Sequence, residues 1–177
     1  MNASRYIRTL ALGLLILPCA NVAAQGDATS ADSLRAALDR SIGAVYEIVS
    51  GPAGQERDWT RFTTLFHPDA RLVSIRRRHI DTVVTRSMTL QDFIERATAS
   101  SRRFGFAEKE IHRQYERFGD LVHVWSAYEV NADGPQGART WRGVNSFQLV
   151  REGRDFRILS IAWEDEAPGL VYEKPAD

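Results

Sequence analysis

The stretch LVHVWSAYEVN, from Leu121 to Asn131, carries the strand alternation that decides the fold class. Side chains at every second position of a β-strand share one face. Three further segments have the same character: Ala107–Phe118, Ala138–Val150 and Phe156–Asp165. Because only short turns separate the four segments, we predict that they pair as antiparallel neighbours.

Apolar residues that precede these strands follow a helical period instead. Most of them recur three or four positions apart between Leu34 and Val49, which predicts one helix before the break at Gly51-Pro52. A second helix is predicted from Asp58, which is its N-cap, to His67.

A hairpin and a third helix complete the pattern. Ala70–Arg76 and Ile80–Arg86 are predicted to be the hairpin strands, and Thr89-x-x-Asp92 resembles a capping box that begins a helix. The predicted order is α-α-β-β-α-β-β-β-β. Helices segregated from an antiparallel sheet give an α+β domain, here with three N-terminal helices packed on a strongly curved sheet around a cone-shaped cavity.

The N-terminus has the features of a secretory signal peptide. Arg5 and Arg8 precede the apolar run Leu10–Leu17, and small residues follow at Val22-Ala23-Ala24. The run is about half of the roughly 20 residues that cross a bilayer. We therefore expect cleavage after Ala24 and no membrane anchor afterwards.

The predicted mature chain has no cysteine and little net charge. Cys19 lies inside the signal, and Pro18 before it makes lipid attachment there the less favoured alternative. Removing two signal arginines from 23 basic residues leaves 21 against 23 acidic residues. This balance predicts no nucleic-acid partner. A secretory signal without disulfides predicts a bacterial periplasmic or secreted protein.

These observations predict a single folded domain. We assign residues 1–24 to the signal peptide, 25–31 to a flexible lead-in, 32–166 to the domain and 167–177 to a loosely held tail. About 150 mature residues are enough to bury one hydrophobic core.

The junction LFHPDARL, from Leu65 to Leu72, resembles the nuclear transport factor 2-like superfamily, as does the element order. That superfamily includes ketosteroid isomerases, scytalone dehydratase and SnoaL-like polyketide cyclases. The stretches Gly51–Trp59 and Arg142–Leu149 are similar to bacterial members of unassigned role. The resemblance covers roughly residues 32–166 and implies a cystatin-like roll. The same scaffold hosts enzymes, binders and assembly modules, so the resemblance implies no single function.

The ketosteroid isomerase pattern implies particular site residues. Tyr46 lies where that family has its tyrosine, Asn145 at or within one residue of its acidic partner, and Trp163 at an aromatic wall position. The position of the base falls on Ser74, or on Val73 if the register slips by one. Neither can abstract a carbon-bound proton, so the resemblance implies hydrogen-bond donors without the base.

The strand Leu121–Asn131 offers further candidates on one of its faces. If that face lines the cavity, His123 or Glu129 is a candidate proton carrier and Trp125 a cavity wall. If the valine face is the core instead, all three lie on the outer surface or in a dimer contact. The strand register decides between these alternatives. In Ala138–Val150 we expect the face with Asn145 to point inward.

Metal and cofactor sites are not predicted. No pair of histidines has a spacing typical of a metal site. The only basic cluster, Arg76-Arg77-Arg78-His79, is interpreted as an exposed hairpin tip, with an anion site as the alternative.

The favoured function is an exported protein that binds a small apolar or mixed-polarity molecule in its cavity. Tyr46 and Asn145 would orient a ligand oxygen, and Trp125 and Trp163 would wall the cavity. The first alternative is an isomerase, cyclase or dehydratase acting on a small carbonyl or polyol compound. The second is a non-catalytic dimerisation module. A homodimer is expected in every case, because a broad exposed sheet face favours burial.

Overall fold

The computed structural model describes residues 31–79 and 82–174. The predicted signal peptide and residues 25–30 of the lead-in lie outside the described residues. The helices are α1 (31–49, with a π-helical turn at Asp39–Gly43), α2 (Trp59–Thr64) and α3 (Leu90–Ser101). The strands are β1 (Phe66–His79), β2 (Thr82–Met88), β3 (Gly105–Phe118), β4 (Leu121–Asp133), β5 (Arg139–Glu152) and β6 (Asp155–Asp165).

The six strands form one sheet in the order β2-β1-β6-β5-β4-β3. Strands β3 to β6 pair as antiparallel neighbours, as their short turns predict. Strand β1 pairs antiparallel with β2 but parallel with β6, which the sequence did not indicate. The predicted α+β class and element order are confirmed.

The junction between α2 and β1 differs from the prediction. The helix ends at Thr64 rather than at His67, and the strand already begins at Phe66. The Ile158 amide donates to the Leu65 carbonyl at 2.9 Å, so this segment is held in the sheet. Pro68, which has no amide hydrogen, lies where the pairing between β1 and β6 shifts register between Phe66 and Arg71.

Both predicted helix caps are present. The Asp58 side chain accepts from the Arg61 amide at 2.8 Å. Thr89 and Asp92 form a reciprocal capping box, in which Thr89 Oγ1 accepts from the Asp92 amide and Asp92 Oδ2 accepts from the Thr89 amide. These bonds satisfy amide groups that a helix N-terminus leaves without a partner.

The hydrophobic core lies between the inner face of the sheet and the N-terminal helices. Leu38 and Ile42 of α1 are completely buried against it, as is Phe62 of α2. The Phe62 ring stacks on Phe93 of α3 with centroids 5.6 Å apart, and Phe93 contacts Trp163 of β6 edge-on at 6.3 Å. This aromatic series joins two helices to the sheet.

The loop between α1 and α2 is built around Arg57. The buried guanidinium donates to the carbonyls of Gly51 at 2.6 Å and Gln55 at 2.9 Å. A Cβ on Gly51 would lie 2.5 Å from Arg57 Nη1, so only glycine allows this approach. Backbone bonds of 2.7 and 3.0 Å between Gly51 and Phe106 then fasten the loop to β3.

The described end of the chain turns back on the sheet. Ala167 and Leu170 form a short bridge, and the Tyr172 amide donates to Glu166 Oε1 at 2.9 Å. No helix among residues 31–79 and 82–174 is long and apolar enough to span a membrane.

Candidate functional site

A cavity of about 630 Å³ lies between the inner face of the sheet and the three helices. Much of its lining is aromatic: Trp59, Phe62, Phe93, Phe106, Trp141 and Trp163. Polar side chains line this space from α1, β3, β4, β5 and β6, and further polar residues line it from β1, β2 and α3. A concave apolar site with a few polar groups is the usual form of a small-molecule site.

Three of the four predicted ligand-binding residues line this cavity. Tyr46 reaches it from α1, Asn145 from β5 and Trp163 from β6. Asn145 and Trp163 are directly paired across neighbouring strands. Ser74, which the resemblance places at the position of a base, also lines the cavity and is paired with Trp163 across β1 and β6.

The fourth predicted ligand-binding residue and both candidate proton carriers lie on the opposite face of the sheet. Val122, Val124 and Ser126 have no exposed surface, so their side of β4 is the core side. The expectation that Trp125 walls the cavity is therefore corrected, since half of its surface is exposed. The corresponding placement of His123 and Glu129 in the cavity is corrected for the same reason, because residues of one parity share a face.

Those three side chains make contacts on the outer face. His123 Nε2 lies 3.1 Å from Ser146 Oγ, and the imidazole is edge-on to the Trp125 ring at 4.9 Å. The Glu129 carboxylate forms ion pairs with Lys109 at 3.0 Å and with Arg142 at 2.9 Å, and these interactions lower its pKa. The outer face thus carries a half-exposed tryptophan among charged and polar groups.

A chain of hydrogen bonds begins at Asn145 and Tyr46 in the cavity lining and continues into the sheet behind it. Asn145 Nδ2 donates to the Tyr46 hydroxyl at 3.0 Å, which lies 2.6 Å from Ser126 Oγ. Ser126 donates to Glu110 Oε1 at 2.5 Å, and Glu110 is paired with the Arg113 guanidinium at 2.6 and 2.8 Å. Because Ser126 gives its one proton to a carboxylate, Tyr46 must donate to Ser126.

The direction of this chain determines what Tyr46 can do. Its proton points to Ser126, and its oxygen accepts from Asn145. Burial raises the pKa of the phenol well above its ordinary value, and the Glu108 carboxylate adds to that shift. Tyr46 is therefore a neutral group that orients Asn145, and its hydroxyl proton is not directed at a ligand.

Glu108 is the second polar group beside Asn145. It lies on β3, partly buried in the cavity lining, with Oε1 3.5 Å from Asn145 Nδ2. Burial raises the pKa of its carboxyl to about 7, the hydrogen bond from Asn145 opposes this shift, and the Asp165 carboxylate adds to it. A carboxyl group with this pKa can both donate and accept a proton near neutral pH.

A third polar pair lies over Gly143. The Tyr128 hydroxyl on β4 donates to Asp165 Oδ1 on β6 at 2.7 Å, and Gly143 lies on the strand between them. A Cβ on Gly143 would overlap the Tyr128 hydroxyl, so this crossing requires glycine. Burial raises the pKa of Tyr128, and the Asp165 carboxylate raises it further.

Comparison with solved structures finds the same architecture at low sequence identity. A nuclear transport factor 2-like superfamily protein from Salmonella enterica serovar Typhimurium has a TM-score of 0.58 and 14% identity over 78% of this chain and 94% of that chain. The protein Aln2 from a Streptomyces species has a TM-score of 0.55 and 17% identity over 75% and 90%. A function-unknown Mycobacterium tuberculosis protein, Rv3472, has a TM-score of 0.56 and 16% identity over 83% and 78%.

This chain has the nuclear transport factor 2-like fold. The resemblance seen in the sequence is thus confirmed at the level of the fold. No protein-family model matches the chain, and neither does any curated protein. At identities below one fifth the structural likeness establishes the fold alone, since this architecture hosts many functions.

Sequence reasoning missed Glu108 and Asp165, which are among the polar groups of this cavity. Glu108 follows Phe106 at the strand period, but charged residues surround it in AEKE, and that pattern is typical of an exposed strand. Asp165 ends β6, where a carboxylate is expected to face solvent. The sequence did contain one indication of this placement. Glu108 is two residues from Phe106 and Asp165 is two residues from Trp163, so each shares a strand face with an aromatic side chain.

Histidines do not assemble into a metal site in the part of the chain that the structure describes. His112 is opposite Ala127, whereas His123 is opposite Glu116. Among residues 31–79 and 82–174, no group of three or more potential metal-binding side chains occurs.

The raised pKa of Glu108 predicts how stability depends on pH. Unfolding returns the carboxyl to its ordinary value of 4.5 from about 7. Between those two values the folded chain binds more protons than the unfolded chain, so this group makes stability fall as pH rises. At pH 8, Glu108→Gln is expected to raise the free energy of unfolding by up to about 3 kcal/mol.

Urea denaturation at several pH values between 4 and 8 measures this effect. Glu116→Gln is the matched control, because Glu116 is an exposed carboxylate on the same strand. It should leave the pH dependence unchanged, whereas Glu108→Gln should flatten it. A Glu108→Gln variant less stable than the parent at pH 8 would show that the ionised form of Glu108 is favoured in the fold.

Proposed function

We propose that this chain binds a small, mainly apolar molecule in its cavity. The observation that carries the proposal is the pairing of Asn145 with Glu108 in a largely aromatic space of about 630 Å³. Apolar walls favour the body of such a ligand, and the two polar groups favour one oxygen function on it.

The polar contact is available because Asn145 is not fully engaged. One of its amide hydrogens bonds Tyr46 at 3.0 Å, while the contact to Glu108 is long at 3.5 Å. A ligand oxygen placed between Asn145 and Glu108 would accept a shorter bond from the amide. Trp163, paired with Asn145 on the neighbouring strand, would lie beside it.

Filling part of the cavity should weaken this binding. Ala97 lines the cavity from α3, and Ala97→Trp would occupy part of its space. We expect the uncharged fluorescent probe N-phenyl-1-naphthylamine to bind the parent chain and to bind the variant at least tenfold more weakly, as apolar contact area is lost. Fluorescence titration measures both affinities.

Ala99→Trp is the matched control, because Ala99 is on the exposed side of the same helix. It should retain the affinity of the parent chain, and thermal unfolding checks that both variants are folded. Equal binding of the probe to both variants would show that the cavity is not the binding site.

A second candidate function is proton transfer by Glu108, as in an isomerase or dehydratase. It is favoured by one observation, a carboxyl group with a pKa raised to about 7 in the cavity. The ionised carboxylate would take a proton from a carbon next to a carbonyl, and the Asn145 amide would stabilise the resulting enolate oxygen. The protonated Glu108 would then return the proton to the substrate. This assignment replaces His123 and Glu129 as proton carriers.

Proton transfer of this kind exchanges carbon-bound hydrogen with solvent. Incubation of small enolisable ketones with the chain in D₂O, followed by proton NMR, measures that exchange. Glu108→Gln should lower the exchange rate by roughly a hundredfold or more, while Glu116→Gln should leave it unchanged. Equal rates in the two variants would show that Glu108 is not the proton carrier.

We also propose that the chain is exported by a bacterial cell and cleaved after Ala24. The support is the sequence of residues 1–24, with its basic start, short apolar run and small residues. N-terminal sequencing of the chain recovered from the periplasm or medium should begin at Gln25, and an intact Met1 would contradict the proposal.

We further propose a homodimer through the outer face of the sheet. Trp125 supports this, because it is a large side chain that is half exposed in the middle of a long strand. Light scattering should give twice the chain mass. Trp125→Glu should reduce this to the mass of one chain, and a monomeric parent would contradict the proposal.

A further inference from the structure

Four arginines line the solvent-exposed part of the cavity, which we call the cavity mouth. Arg76 and Arg78 belong to β1, Arg86 to β2 and Arg96 to α3. All four residues are exposed. The mouth is therefore cationic on the sheet side and on the helix side, and the proposed function does not use these charges.

The register of the hairpin brings two of these charges close together. Arg76 is opposite Val84, and Ser74 is opposite Arg86. Arg76 and Arg86 are thus diagonal neighbours on one face, with side chains starting about 7 Å apart. Within the described ranges no carboxylate forms an ion pair with either side chain. Their mutual repulsion would be relieved by a bound anion.

The lining of β1 changes character toward the mouth. Leu72 and Ser74 are buried, whereas Arg76 and Arg78 of the same parity are exposed. The face thus passes from apolar through neutral polar to cationic within seven residues, 72 to 78. A ligand whose apolar body lies against the buried part would place its outer end among the arginines.

The two acidic groups of the cavity lining differ in their distance from these arginines. Glu108 is on β3, at the opposite edge of the sheet from β2. Asp165 of β6 follows Glu164, which is paired with Ile75, so it lies beside Arg76, and its Oδ1 accepts from Tyr128. An anionic group would be repelled by these two carboxylates and attracted to the four arginines, so the mouth is the more favourable end of the cavity for it. Guanidinium groups bind carboxylate, sulfonate and phosphate oxygens through paired N–H donors, which gives such a site both affinity and orientation.

We propose that the ligand of this cavity is a small amphipathic anion, with an apolar body inside and one anionic group held by Arg76, Arg86 and Arg96 at the mouth. The inference rests on the proposed binding function and adds the charge and orientation of its ligand. It also revises the interpretation of the Arg76–His79 cluster as a merely exposed hairpin tip.

Two fluorescent probes that differ by one sulfonate test the inference. 8-Anilino-1-naphthalenesulfonate has the ring system of N-phenyl-1-naphthylamine plus the anionic group. We expect the sulfonate probe to bind the parent chain roughly tenfold more tightly, because charge-assisted hydrogen bonds add to the same apolar contacts. Raising the salt concentration should weaken binding of the sulfonate probe and leave binding of the uncharged probe unaffected.

Substitutions at the mouth locate the effect. Arg76→Gln and Arg86→Gln should each lower the affinity for the sulfonate probe roughly five- to tenfold and leave the affinity for the uncharged probe unchanged. Arg154→Gln is the matched control, since Arg154 is an exposed arginine in the turn between β5 and β6. It should change neither affinity. Ala97→Trp should weaken binding of both probes at least tenfold, which places the sulfonate probe in the cavity.

Each other outcome overturns the inference. Equal affinities for the two probes, with no salt dependence, would mean that the arginines only protect the edge strand β2 from pairing, and the binding function would stand. A loss in Arg154→Gln as large as in Arg86→Gln would assign the attraction to the charge of the whole chain. Failure of both probes to bind would overturn the proposed function and the inference with it. The salt dependence of sulfonate-probe binding is measured on the parent chain and needs no substitution. It therefore tests the inference even where a variant does not fold.

Discussion

Ser126 has no exposed surface and lies among valines on the inner face of β4, so its hydroxyl must find its partners inside the protein. It donates to Glu110 on β3 and accepts from Tyr46 on α1. The hydrogen-bond directions of Tyr46 and Asn145 in the cavity lining follow from this one group. Since its proton goes to Glu110, Tyr46 must donate to it and can only accept from Asn145, which in turn places the second amide hydrogen of Asn145 toward Glu108. One buried hydroxyl thus couples the helix to three strands and sets which polar atoms a ligand meets.

Glu108 and Glu110 show how much the surroundings decide the chemistry of one residue type. They are two residues apart on β3 and both reach toward the centre of the domain. Glu110 is held by the Arg113 guanidinium, which also bonds Asp39 in the π-helical turn of α1 at 2.7 Å. Glu108 has an amide rather than a cation beside it, so burial dominates and its pKa rises to about 7. A structural ion pair and a group suited to proton transfer therefore occupy adjacent same-face positions of one strand.

The sequence predicted the helices and strands well because their apolar residues recur at a clear helical or strand spacing. It did not predict which face of a strand points inward where the two faces have similar side chains. The spacing from Leu34 to Val49 and the Thr89–Asp92 box indicated α1 and α3 without tertiary information. In Leu121–Asn131 each face carries both apolar and polar side chains, so the alternation could not say whether Ser126 or Trp125 points inward. The packing of the helices on one face of the sheet settles this, since Ser126 is completely buried and Trp125 is half exposed, and that packing is a property of the whole domain. Glu108 was missed for a related reason: a strand rich in charge is typical of a surface, and only the helices packed over it bury this carboxyl.

The same geometry explains why the charges of the cavity matter together. The lining has exposed arginines on β1, β2 and α3 and a partly buried carboxyl on β3. If the ligand has an anionic end, only one orientation is electrostatically favourable: the anion at the mouth and a neutral oxygen function at Glu108 and Asn145. With a pKa of about 7, Glu108 would donate a hydrogen bond to a carbonyl oxygen when protonated and accept one from a hydroxyl when ionised.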